Sequence, residues 1–364
     1  MILVNNASGD IDEDWLPMMP LAAGCTGCAT RRVQRLLPTP LDIIRYNGRI
    51  DSTSDGDCMR DLGSLEPQGP YNLRLTMDLL RRYAHPALDV THDNAYWRLI
   101  YCQRGLHLLR VTQEGPVNQP RLRVALALST IKPDPDALMR IIGHILGVDS
   151  DPTPFYKAAR RDPDLWAIVR PMIGLRWLRT ETVFEALMLT IIEQQIAWTA
   201  AQRAQRWLVE WGGQCLSYQG RDYYAFPRPG QIASTSVEAL TPLKITFRRM
   251  AVMIDIARAA AVGSIALEDL RHQTPEAAYN ALTARKGIGH WTAVWTLQRT
   301  QSQPHNFVGY NDVALQAACN HYFRASDGKM SEEEVRLIFA RFGPFAGLAA
   351  NYTIMRWVLD RYPA

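Results

Sequence analysis

Between Lys286 and His290 the chain reads Lys-Gly-Ile-Gly-His, one apolar residue bracketed by two glycines, and this short stretch constrains the fold more than any other. Ahead of it, Thr274 suits a helix N-cap, Pro275 the first helical position and Glu276 the positive helix start, so a helix is expected to run from there toward Arg285. Gly287 and Gly289 allow a tight turn in which Ile288 packs inward, and a second helix restarts at once through His290, Trp291, Thr292 and Ala293. The expected unit is a helix-hairpin-helix over about residues 274–300. Its second helix start exposes backbone N–H groups with no side chain in the way, a seat for a phosphate, although an ordinary αα-hairpin uses the same glycines. A polar break at 301–305 follows, then the apolar entry Phe307-Val308-Gly309-Tyr310, then Asn311-Asp312 opening a further apolar helix. An aspartate at a helix start is ordinarily a cap. This one lies one helix downstream of the phosphate seat.

These residues resemble the helix-hairpin-helix (HhH-GPD) DNA glycosylase superfamily, whose signature is such a hairpin, a Gly/Pro-containing loop and an essential aspartate. Lys286-Gly-Ile-Gly-His-Trp-Thr-Ala293 and Tyr310-Asn-Asp-Val-Ala-Leu315 look most like its 3-methyladenine DNA glycosylase II branch. The resemblance implies a mostly α fold with an N-terminal α+β domain, and it places the catalytic carboxylate on Asp312. It puts the lysine nucleophile of the bifunctional 8-oxoguanine branch at Asn280, so strand-cleaving lyase chemistry is not expected. The endonuclease III branch adds four cysteines after the aspartate, whereas only Cys319 follows Asp312 here, too few for an iron–sulfur cluster.

A chain of 364 residues can bury a large core and is expected to hold two or three domains. Its net charge of +4 agrees with a polyanionic partner met through a local basic patch. No apolar run reaches membrane-spanning length, and the first fifteen residues turn acidic too soon for a signal peptide, so an intracellular protein with no membrane partner is expected. The six cysteines show no disulfide-framework spacing, and Cys25-Thr26-Gly27-Cys28 lacks a second pair to close a zinc site.

Taken in order, residues 1–70 show no periodicity and read as a poorly ordered or lineage-specific extension. From Tyr71, Leu73, Leu75 and Met77 alternate with polar residues as in a half-buried strand, followed by a short helix from Asp78 to Tyr83. Ala95–Cys102 and Leu106–Thr112 read as strands joined at Gln103-Arg104-Gly105, Arg121–Leu128 as another, and Asp134-Pro135 opens a helix that ends at Gly147. Residues 71–150 thus make a small α+β unit, in the resemblance a sheet domain shaped like half of a TATA-binding protein. Residues 151–362 read as almost wholly helical. Thr182-Val-Phe-Glu185 has the form of a capping box, and Ser331 with Glu334 caps a late helix.

The resemblance assigns roles to further residues. It implies that Lys286, Gly287, Ile288, Gly289, His290 and Thr292 form the DNA-phosphate seat, with a Na+ or K+ ion on the hairpin carbonyls and no other cofactor required. Trp291, Trp295 and Gln194 become the base pocket, and Gln195 the wedge that fills the gap left by an extruded nucleotide. The bland readings are core packing for the tryptophans and a solvated helix end for the glutamines. The expected activity is monofunctional hydrolytic excision of alkylated purines from double-stranded DNA by a monomer. The alternatives are excision of oxidised or mismatched bases, or a non-catalytic helix-hairpin-helix DNA-binding protein.

Overall fold

The alternating segments between Ala95 and Ser129 pair into the centre of an antiparallel sheet in the computed structural model, which describes residues 45–46, 59–83, 87–301, 306–325 and 327–362. Strands β1 (Arg45–Tyr46), β2 (Arg60–Leu65), β3 (Val90–His92), β4 (Ala95–Cys102), β5 (Gly105–Glu114) and β6 (Arg121–Ser129) come first, and β7 (Cys215–Tyr218) and β8 (Arg221–Tyr224) much later. The larger sheet has the order β2-β6-β5-β4-β3. Gln103 and Arg104 both take positive φ, 50° and 68°, which is the turn chemistry that lets β4 fold straight back onto β5. Cys25 and Cys28 lie outside the described residues.

Helices α1 (Leu73–Tyr83) and α2 (Pro135–Leu146) cover one face of this sheet. Tyr96, Ile100, Leu109 and Val111 bury there against Leu73, Met77, Leu138 and Ile142. The opposite face is covered too, because Trp97, Leu99 and Leu108 pack on Leu216 and Tyr223 of the β7–β8 hairpin. That hairpin turns at Gln219 and Gly220, with φ of 48° and 75°.

Three sequence expectations change here. Leu73–Met77 is helical, not a strand: Leu73, Met77 and Leu80 recur at helical spacing on the buried side, and the Asn72 side chain accepts the Leu75 N–H at 3.0 Å as a cap. Five alternating residues fit both periods, and the cap decides. Arg60–Leu65 is an edge strand paired with β6, so the sheet begins about ten residues before Tyr71. The β7–β8 hairpin interrupts a region read as helical, since four-residue strands carry too little periodicity to stand out.

The remaining helices are α3 (Thr153–Ala159), α4 (Pro163–Val169), α5 (Val183–Glu193), α6 (Trp198–Gly212), α7 (Pro229–Ala233), α8 (Phe247–Ala261), α9 (Pro275–Thr283), α10 (His290–Gln298), α11 (Val313–Arg324), α12 (Glu332–Ala340) and α13 (Ala346–Arg361). Thr182 caps α5 by accepting the Glu185 N–H, but the Glu185 side chain does not complete the box. Both its oxygens go instead to the buried guanidinium of Arg98 on β4, at 2.8 Å each. This pair bolts the helical part to the sheet, and removing one member would strand the other charge in the core.

Two apolar cores meet along α10. Ala293 and Leu297 face a core built from α5, α6, α8 and α9, whereas Trp295, two residues on and so on the opposite side, enters a second core with α4, α11, α12 and α13. A helix buried on all sides reads as apolar all round, which is why α10 has no polar stripe.

Candidate functional site

Thr274 caps α9 by accepting the Ala277 N–H at 3.2 Å, and the helix ends at Thr283, two residues short of Arg285. Gly287 then takes φ +89°, and a Cβ there would stand 2.9 Å from Val252 Cγ2 of α8, so glycine is required on both counts. Ile288 is 3% exposed and anchors the turn in the first core, a burial contributing roughly 1.5–3 kcal/mol. Gly289 is the N-cap of α10. It has no side-chain cap, and a Cβ on it would meet nothing within 4 Å. The start of α10 therefore presents its first-turn N–H groups to open space, with exposed Lys286 alongside.

The side chains of His290 and Thr292 bond within the protein. The His290 Nε2–H donates to the Val308 carbonyl at 2.8 Å and Nδ1 accepts the Tyr279 hydroxyl at 2.9 Å, so both ring nitrogens are engaged. Burial lowers the imidazole pKa, which keeps it in this neutral tautomer. Its ring stacks on Tyr310, centroids 4.4 Å apart, so His290 tethers the 306–312 loop to the hairpin. Thr292 is buried, and its hydroxyl accepts the Gln194 amide at 2.8 Å. Both side chains are thus engaged within the protein.

Asp312 caps α11, Oδ1 accepting the Leu315 N–H at 2.9 Å. Oδ2 accepts the indole N–H of Trp291 at 2.8 Å. Although the residue keeps some exposed area, its carboxyl is packed closely enough that desolvation raises its pKa; the Trp291 and backbone N–H groups pull it back down in part. Gly309 lies against the site: a Cβ on it would touch Trp295 Nε1 at 3.5 Å and Asp312 Cβ at 3.9 Å, ordinary contact distances. Trp295, 7% exposed, sits 6.2 Å from the Trp291 ring and 6.0 Å from the Trp177 ring, centroid to centroid. Trp291 is half-buried and Trp295 nearly sealed.

Asn280, the expected place of a lysine nucleophile, is exposed on α9. The hairpin side chain that donates to Asp312 is Trp291, eleven positions further on.

At the end of α5, Gln194 is a strap, its amide donating to Thr292 Oγ1 and to the Gly287 carbonyl at 3.2 Å. Gln195 is exposed at φ +52°, pushed outward by a left-handed turn that a non-glycine residue rarely adopts. Arg249 of α8 fixes this turn by donating to the Gln194 carbonyl. Two residues earlier on α8, Phe247 is 67% exposed. Sequence reasoning passed over it, because a phenylalanine at a helix start reads as core until its exposure is known.

A 3-methyladenine DNA glycosylase from Archaeoglobus fulgidus superposes with TM-score 0.68 at 23% identity, covering 82% of this chain and 98% of that one. An 8-oxoguanine glycosylase/lyase from Clostridium acetobutylicum, in complex with double-stranded DNA, superposes with TM-score 0.61 at 18% identity over 80% of this chain and 96% of that one. The fold is that of the helix-hairpin-helix DNA glycosylase superfamily. Among curated proteins, a DNA-3-methyladenine glycosylase of Bacillus subtilis (strain 168) is 32% identical over 180 residues. That match takes in 50% of this chain and 59% of the relative's length. No family model matches the chain. Among the described residues, no helix is long and apolar enough to cross a membrane.

Proposed function

We propose that this chain is a monofunctional DNA glycosylase that excises N-alkylated purines, of the 3-methyladenine and 7-methylguanine type, as free bases. The single observation that carries the reading is the Trp291–Asp312 contact: a desolvated carboxylate held by an indole, one helix from an uncapped, glycine-lined helix start.

A base inside a duplex is out of reach of a pocket, so the nucleotide has to be extruded at a cost of a few kcal/mol, least at a damaged pair. Backbone N–H groups at the start of α10, with Lys286, would hold the phosphate beside the lesion. A Na+ or K+ ion on the hairpin carbonyls would add positive charge there; the Gly287 oxygen, which already accepts Gln194, keeps a second lone pair for it. Gln195 would fill the emptied position in the stack, with Phe247 against the neighbouring DNA.

The extruded base would stack against the Trp291 indole, whose electron-rich face suits a cationic, alkylated purine. When the N-glycosidic bond breaks, its electron pair leaves with the base and positive charge builds on the sugar. Ionised Asp312 would stabilise that charge, and water would add to the anomeric carbon and lose a proton. With asparagine rather than lysine at position 280, no Schiff base forms and the strand stays intact. A monomer suffices, since one lesion engages one site.

The test is single-turnover release of free bases from methylated duplex DNA, with strand nicking scored in the same reactions. Release of 3-methyladenine or 7-methylguanine without nicking is expected, and so is DNA affinity that falls with added salt, with a log–log slope of roughly −0.9 per phosphate neutralised. Release of an oxidised or mismatched base and no alkylated one would reassign the substrate. No release from any panel would leave a non-catalytic DNA-binding protein.

A further inference from the structure

Two buried polar atoms near the site have no hydrogen-bond partner in the protein, the indole Nε1–H of Trp295 and the Oδ1 of Asn351 on α13. The two residues are 7% and 5% exposed, and both line one small cavity, together with Gln298, Gly309, Leu315 and Ile354. Burying a donor and an acceptor unpaired is costly, so a matched pair around one space points to something that joins them.

The hydrogen bonds around Asn351 decide which of its atoms turns to the cavity. The Gly347 carbonyl can only accept, so Gln298 gives it the amide N–H, at 3.1 Å. That directs Gln298 Oε1 to Asn351, whose Nδ2 donates to it at 2.9 Å. The Asn351 oxygen is left over as a pure acceptor, and the Trp295 indole is a pure donor. Whatever joins them has to accept from an indole N–H and donate to an amide oxygen. A metal or ammonium cation cannot accept, and a halide cannot donate. Room of about 10 Å³ admits a single water and nothing larger.

We propose that this cavity is a binding site for one water molecule, which accepts from Trp295 and donates to Asn351, making Asn351 a positioning residue for the indole beside Asp312. All the donations then run one way, from Trp295 through the water to Asn351, Gln298 and the Gly347 carbonyl, so each bond polarises the next. Gly309 borders the place: a Cβ on it would stand 3.5 Å from Trp295 Nε1 and 3.9 Å from Asp312 Cβ, taking space from the cavity. The water site stands on this geometry alone, and its effect on Asp312 rests on the glycosylase reading above. Burial raises the Asp312 pKa and the Trp295 N–H is among the groups that draw it back, so the direction of that N–H bears on the charge of the carboxyl.

The experiment compares the full chain as wild type, Asn351→Leu and Gly309→Ala. Rotating-frame NMR on protein with 15N-labelled tryptophan reads the Trp295 indole proton, identified by its loss in Trp295→Phe; a bound water gives a cross-peak opposite in sign to chemical exchange. Wild type is expected to show the bound-water cross-peak. Both variants are expected to lose it, Asn351→Leu by removing the acceptor and Gly309→Ala by filling the space. Single-turnover release of 7-methylguanine is expected to fall about tenfold in Asn351→Leu, as for one lost hydrogen bond, with affinity for an abasic-site duplex unchanged. No bound-water cross-peak in wild type, or one that survives in either variant, overturns the water site. An unchanged release rate, or equal losses of rate and DNA affinity, overturns the positioning role. Should wild type release no base, the glycosylase reading falls by itself, and the cross-peaks still decide the water site. If Asn351→Leu does not fold, Gly309→Ala, whose methyl meets only ordinary contact distances, carries both readouts.

Discussion

The indole N–H of Trp291 and the Oδ2 of Asp312 lie 2.8 Å apart, joining the second helix of the hairpin to the cap of α11. One side chain thereby orients the carboxylate and sets an aromatic face beside it. Asp312 also caps α11 through its other oxygen, so fold and site share one carboxyl group.

That sharing makes the effect of Asp312→Asn specific. Asparagine keeps the cap and the shape but loses the charge, so base release is expected to fall by about 100- to 1000-fold while lesion DNA still binds. Because burial raises the Asp312 pKa above its unfolded value, the folded state resists ionisation, and the stability this carboxyl contributes is present at acid pH and lost as pH rises through the folded pKa. The variant is therefore expected to melt higher than wild type at pH 7, with the difference shrinking toward pH 3. Calorimetry across that range, beside the release assay, checks both halves.

The two hairpin glycines are predicted to fail differently. Gly287→Ala forces a side chain into the left-handed region and against Val252, costing about 1–2 kcal/mol in backbone conformation alone, and urea denaturation should show it. Gly289→Ala, at φ −92° with open space around it, should change stability by less than about 0.5 kcal/mol. It should still weaken DNA binding about tenfold, because the methyl would stand in the open space before the first-turn N–H groups and hold a phosphate off them. Equal DNA affinity in Gly289→Ala and wild type would move the phosphate seat elsewhere.

Gln194 and Gln195 are adjacent, but their substitutions should separate. Gln194→Ala removes two donations to the hairpin and should cost about 1–2 kcal/mol of stability. Gln195→Gly relieves the φ +52° strain and should stabilise by up to about 1 kcal/mol, while slowing extrusion for want of the wedge side chain. Stopped-flow 2-aminopurine fluorescence reports the extrusion, and chemical denaturation the stability.

A pH dependence remote from the site comes from Glu181. Arg98 is taken up by Glu185, so burial pushes the neighbouring Glu181 carboxyl up to about 8, with Arg98 offsetting this only partly. Between an ordinary glutamate pKa near 4.3 and about 8, the unfolded chain gives up this proton while the folded chain keeps it. Stability should therefore decline as pH rises through that window, and Glu181→Gln should flatten the decline. A wild-type stability curve that is flat from pH 5 to 8 would contradict this.

The hairpin, its caps and the position of Asp312 were legible in the sequence because each rests on local chemistry: Thr274 and Asp312 bond to N–H groups three residues on, and Gly287 answers a backbone angle. The strands from Ala95 to Ser129 were legible because alternation survives over eight or more residues. Where local signals were short or ambivalent, tertiary partners decided. Leu73–Met77 fits two periods until the cap and core choose the helix, and Arg60–Leu65 is a strand only because β6 offers an edge. Glu185 looked like half of a capping box until Arg98 claimed it from 87 positions away. The roles of the site residues divide in the same way. That an aspartate and two tryptophans lie near the hairpin follows from sequence order, and only the resemblance brings two glutamines to it; which indole meets the carboxylate, which glutamine bonds to the hairpin, and that Phe247 stands open depend on how the helices pack together. Those contacts join residues far apart in the chain, and spacing along a sequence carries no record of distance across a core.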